Sequence, residues 1–223
     1  GDPVLLLAAL SGRRDSAGRS AAVAAARSDD GEVRLAGLRA LGRLGDDSTI
    51  LFLARASASL TGESRDAARK SLDALRGETV DEAMAALVTP ATFAGVRAEV
   101  IRSLAARGAG SGASAIEAMT KDADRAVRLA AAKALGLLAR ERSRATLISL
   151  IRRESDDEVR DAAAESLADV AKVSGGKAAG PVLAALDGSS PAARRVLLSV
   201  LPALGGAPAL AAARRDLAHG DAE

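Results

Sequence analysis

The chain repeats itself every 31 or 32 residues. The segment Val33-Arg34-Leu35-Ala36-Gly37-Leu38-Arg39-Ala40-Leu41-Gly42 returns as Val127-Arg128-Leu129-Ala130-Ala131-Ala132-Lys133-Ala134-Leu135-Gly136, with looser copies starting at Ser64-Arg65, Val96-Arg97, Val159-Arg160 and Ala193-Arg194. The starts at 33, 64, 96, 127, 159 and 193 are separated by 31, 32, 31, 32 and 34 residues. A period of that size marks a supersecondary unit that cannot bury its apolar face alone, so neighbouring copies must stack into a continuous core.

Each unit reads as two helices. Val127, Ala130, Ala131, Ala134, Leu135 and Leu138 fall at i, i+3, i+4, i+7, i+8 and i+11, one face of a 3.6-residue helix. Eight residues after each start stands a leucine: Leu41, Leu72, Leu104, Leu135, Leu167 and Leu201. Three residues before five of the starts stand the helix-capping types Asp30, Thr61, Asp124, Asp156 and Ser190. Phe93 breaks the series and follows Thr92, which shifts the expected cap by one residue. Shorter apolar segments lie between: Ser48 to Ser59, Val80 to Val88, Ala113 to Met119, Ala145 to Ile151, Pro181 to Leu186 and Pro208 to Leu217, with a further helix from Pro3 to Leu10. About thirteen helices and no strand are expected, because no period-2 alternation occurs. After Leu217 the chain stops where a new start is due at 224, so the array reads as truncated at its C-terminal end.

The pattern Asp-x-x-Val-Arg-x-x-Ala-x-x-Ala-Leu-Gly-x-Leu, matched almost throughout by residues 30–44 and 124–138, resembles the short HEAT-like repeat named after the phycobilisome lyases. The resemblance covers most of the chain. It implies an all-α fold, a right-handed α-solenoid of stacked antiparallel helix pairs with the Val-Arg helices on the concave side. Residues 1–223 then form a single domain of about six to seven repeats. Tetratricopeptide repeats fit less well, since nothing fills their Trp, Tyr and Phe positions.

Composition narrows the function. Aromatic residues are 1% of the chain, two Phe with no Trp or Tyr, so a contact surface has few large anchors. The pI near 9.4 reflects a net charge of only +2 on a chain with no Cys or Tyr and one His, where almost nothing titrates near neutrality. Thirty-one Lys and Arg against 29 Asp and Glu describe a mixed surface, which argues against specific nucleic-acid binding. The longest apolar run, Val4 to Leu10, is too short to insert in a membrane.

Among candidate sites, Arg34, Arg65, Arg97, Arg128, Arg160 and Arg194 follow each start directly and are expected to fork onto carboxylates or helix ends at the seams. Six residues after the starts come Arg39, Lys70, Arg102, Lys133, Glu165 and Ser199. The four cations Arg39, Lys70, Arg102 and Lys133 form a candidate basic stripe for a protein partner, diluted by neighbours such as Glu99. The glycines of Gly108-Ala109-Gly110-Ser111-Gly112 follow a helix, so they read as a turn and not a phosphate loop, and Gly175-Gly176-Lys177 lacks the Ser or Thr of a P-loop. His219 has no second imidazole or thiol to work with. The carboxylate pairs Asp46-Asp47 and Asp156-Asp157 suit helix starts. No cofactor, metal or catalytic set is expected. The reading is a non-enzymatic protein-protein interaction scaffold, monomeric or packed end to end. A purely architectural spacer in a multidomain protein stays open, as does an enzyme of the bilin-lyase or DNA-glycosylase kind.

Overall fold

The computed structural model describes residues 16–138, 141–173, 179–204 and 211. The expected helix from Pro3 to Leu10, all but Ala211 of that from Pro208 to Leu217, the Gly175-Gly176-Lys177 run and His219 lie outside them. The chain comprises two compact units, residues 1–115 and 116–223. Among the described residues there are twelve α-helices, three short 3-10 helices and no strand.

The first unit holds α1 (Ser16–Ala26), α2 (Gly31–Leu44), α3 (Ile50–Ser59), α4 (Gly62–Ala74), α5 (Val80–Ala86) and α6 (Ala94–Ala106). The unit boundary falls within α7 (Ala113–Met119). The second unit continues with α8 (Arg125–Leu137), α9 (Ser143–Arg153), α10 (Asp157–Val173), α11 (Ala179–Leu186) and α12 (Pro191–Val200). Odd-numbered helices are the first of each pair, and even-numbered helices begin at the Val-Arg starts. Within the first unit α2 packs on α4 and α4 on α6, while α3 fills the space against α4 and α6. In the second unit α8 packs on α10 and α10 on α12, with α9 against α10 and α12. This is the all-α solenoid that the period demands.

The leucines eight residues after each start form the spine of the two cores. Leu41, Leu72, Leu104, Leu135 and Leu167 are 0% exposed and Leu201 is 1% exposed. Burying each such side chain is worth about 1.5 to 3 kcal/mol. Because each second helix lies between its own first helix and the next second helix, burial extends beyond one stripe. On α8, Ala132 and Gly136 are buried together with Val127, Ala131, Ala134 and Leu135.

Two glycines permit these close crossings. A Cβ on Gly37 would stand 2.8 Å from the carbonyl oxygen of Ala22, which brings α1 and α2 into backbone contact. A Cβ on Gly136 would stand 2.8 Å from Cα of Ser166 on α10. Shape therefore selects the glycine of the Ala-Leu-Gly motif at this crossing.

Capping follows the sequence at four of the starts. Asp30 accepts from the amides of Glu32 (2.8 Å) and Val33 (3.1 Å), Asp124 from Ala126 (2.8 Å) and Val127 (3.3 Å), Asp156 from Val159 (3.0 Å), and Ser190 from Ala193 (3.3 Å). Thr61 makes no side-chain cap. The shift to Thr92 does not occur: α6 begins at Ala94 with Phe93 in the cap position, and Phe93 is 78% exposed. Arg97 takes the carbonyl of Thr92 instead, drawing that residue into the preceding turn.

Candidate functional site

The arginines of the Val-Arg starts turn back onto their own repeats. Arg34 donates to the carbonyls of Ser28 (3.0 Å) and Asp29 (3.2 Å), Arg65 to Leu60 (2.7 Å), and Arg97 to Thr92, Pro90 (3.2 Å) and Thr89 (3.4 Å). Arg128 reaches Asp122 and Ala123, each at 3.0 Å, and Arg160 reaches Glu154 at 2.6 Å. In all five the acceptor lies five to eight residues back, in the turn that ends the first helix. Those carbonyls have no intrahelical partner, and a guanidinium satisfies several at once. The expected fork onto the adjacent unit occurs as an addition: Arg34 Nε donates to Ser64 at 3.4 Å, and Arg128 forks onto Glu154.

Glu154 is a node between two repeats of the second unit. Its carboxylate accepts Arg128 Nε at 2.8 Å and Nη2 at 3.0 Å, and the amides of Ser155 and Asp156 at 3.1 Å each. Its side chain is 4% exposed. Burial pulls the pKa of this carboxyl upward, but the Arg128 fork and the two amides outweigh it and hold the group below the usual carboxylate range. Nothing in the repeat motif marks position 154. The signal was weak: one glutamate two residues before a capping aspartate.

The cations six residues after the starts divide. Arg39 on α2 and Lys70 on α4 are exposed and line one groove of about 420 Å³ together with Arg43, Gly42, Glu63 and Asp66. Arg102 on α6 is half-buried and held by Asp73 (3.0 and 2.8 Å) and Glu99 (3.1 Å). Lys133 is exposed on α8 in the second unit. Glu99, itself 8% exposed, also binds Arg69. Glu99 is buried and Asp73 half-buried, at positions where most other copies carry small residues, so the period did not signal that they would hold Arg102.

The remaining candidates are accounted for by local structure. Gly110–Gly112 is a 3-10 turn leading into α7, with Gly108 at a φ of 67° that favours glycine. Asp46 caps the short 3-10 helix Asp47–Thr49 by accepting from Ser48 at 3.1 Å. Asp157 pairs with Arg160 at the start of α10. Among the described residues no helix is long and apolar enough to cross a membrane.

Residues 80–168 match the family model for HEAT repeats. No curated protein matches the chain. Human deoxyhypusine hydroxylase in complex with glycerol is one similar solved structure, 17% identical, covering 91% of this chain and 78% of that one at a TM-score of 0.46. An engineered protein is 19% identical over 83% of this chain and 96% of that one, also at 0.46. The complex of CpcE and CpcF of phycocyanin lyase from Nostoc sp. PCC7120 is 21% identical over 94% and 85%, at 0.39.

Proposed function

We propose that this chain, a HEAT-like repeat protein, is a non-enzymatic scaffold that binds a protein partner on the solvent-exposed face of its second helices, the face expected to line the concave surface. Its repeat register runs unbroken from Val33 to Ala193, so residues 1–223 act as one repeat domain. The observation that supports the reading is a division of labour between two series of cations. The arginines at the starts close onto turn carbonyls and stabilise the repeats, whereas Arg39, Lys70 and Lys133 at the equivalent later position stay at the surface. The stripe of Arg39, Lys70, Arg102 and Lys133 enters this reading with unequal members, since Arg102 already has two carboxylate partners. An apolar-poor, charged contact of this kind gives specificity and fast association more than raw affinity.

The test is affinity capture by the full chain from its source cells, with cross-links mapped by mass spectrometry. Saturable capture, lost on reversing Arg39, Lys70 and Lys133 to Glu in a chain of unchanged helicity, is the expected result. Absence of any saturable partner would leave the purely architectural spacer.

A further inference from the structure

The groove between α2 and α4 is built for one kind of occupant, and its partner chemistry rests on the scaffold reading above. Asp30 and Glu32 share a depression with Thr61 and Glu63 at the helix starts, and Ser71 Oγ donates to the Leu38 carbonyl at 2.7 Å further along. The two helices therefore run side by side in the same direction. Their charges are sorted along that direction. Glu63 and Asp66 lie towards the starts, while Arg39 and Lys70 follow about 6 to 10 Å further on and Arg43 about 12 to 16 Å further on, at a rise of about 1.5 Å per residue.

Three features set this cluster apart from an ordinary solvated face. First, Arg39, Arg43 and Lys70 have no carboxylate within 4.0 Å among the described residues, whereas Arg69 and Arg102 on the next seam are both paired. The cations beside Glu99 and Asp73 are neutralised locally, and those in the groove are not. Second, the floor between them is made of small residues, Gly42, Ala67, Ser71 and Ala74, so a chain can approach the helix backbones closely. Third, two carboxylates stand in the same groove. A nucleic-acid strand, negatively charged throughout, would meet Glu63 and Asp66 as well as the cations; a peptide with its acidic residues gathered at one end would not.

We propose that the α2–α4 groove binds an acidic peptide segment of a protein partner, its carboxylates seated among Arg39, Arg43 and Lys70 and its uncharged or basic end beside Glu63 and Asp66. Long cationic side chains over a small-residue floor fit carboxylates by charge-assisted hydrogen bonds.

The experiment uses the full chain and a fluorescein-labelled peptide with a block of glutamates at one end, followed by fluorescence anisotropy. Arg39→Glu with Lys70→Glu is expected to weaken binding about tenfold or more, because two ion pairs are replaced by repulsions. Arg55→Glu, at an exposed cation on α3 outside the groove, is expected to leave binding unchanged. Binding should weaken as salt is raised. Retained affinity in the folded double variant, equal binding of the glutamine version of the peptide, or equal competition by single-stranded DNA would each overturn the proposal. Failure of the groove and failure of the scaffold reading are distinct results: a captured protein partner whose cross-links fall away from α2 and α4 removes the groove and keeps the scaffold.

Discussion

Replacing Glu154 by Gln is expected to destabilise the second unit by about 2 kcal/mol at neutral pH. Gln has the same length, so the loss is one of charge and acceptors. Glu154 now presents two oxygens to Arg128 and receives two backbone amides. In the variant one oxygen becomes an amide nitrogen facing guanidinium nitrogens, which removes a charge-assisted hydrogen bond worth about 1.5 to 3 kcal/mol. With the two side chains 4% and 19% exposed, salt screens this pair little. The pH dependence has a definite sign. A carboxyl whose folded pKa is depressed stabilises fully above its unfolded value, near 4.3, and loses that stabilisation as pH falls through the lower folded value. The gap between parent and variant should therefore be constant from pH 7 to about 5 and narrow below about 4. Urea titrations followed at 222 nm measure it, with midpoints compared only where the slopes agree, since repeat arrays depart from two-state behaviour. An unchanged midpoint at pH 7, or a gap that persists undiminished at the lowest pH where both remain folded, would refute the role of Glu154. Arg128→Met should cost more than Glu154→Gln, because Arg128 also holds two turn carbonyls.

Leu135→Ala should cost roughly 2 to 5 kcal/mol, since the side chain is wholly buried, while Lys133→Ala should stay within about 0.5 kcal/mol. Equal midpoints for the two would mean that the buried face of α8 is misassigned. Gly37→Ala should lower stability despite the gain of about 1 kcal/mol in helix propensity, because overpacking at the α1–α2 crossing costs about 1 to 3 kcal/mol; a more stable variant would contradict the close approach. Asp124→Ala should cost about 1 kcal/mol through loss of two capped amides, measurable by thermal melting, and no loss would show that the cap is solvated.

The period made the helix pairs, the buried leucines and four of the caps legible, because each depends on residue type at a fixed offset. What periodicity could not reach were the departures from it. Ser71, Ser103 and Ser166 are buried where a polar residue would be assigned to the surface, since second helices are covered on two sides. Ser71 resolves its hydroxyl through the Leu38 carbonyl. Arg102 looked like its equivalents, and only the chance of Asp73 and Glu99 beside it draws it into an internal network. Phe93 held its register but not its chemistry, exposing one of the chain's two aromatic rings at a helix start.

The arginines that fold back onto their own turns have a consequence for how such an array changes length in evolution. Each acceptor carbonyl lies a fixed few residues upstream in the same repeat, five for Arg34, Arg65, Arg97 and Arg128 and six for Arg160. Recombination that excises one period, for instance residues 64–95, would bring Arg97 into register with the Leu60 carbonyl that Arg65 now uses. Duplication of a period is equally harmless to this fastening. Pairs between repeats, such as Arg128 with Glu154 or Arg102 with Asp73, lack that immunity, because they name their neighbour. Copy number is thus free to drift while the order of particular repeats is held by their mutual charges.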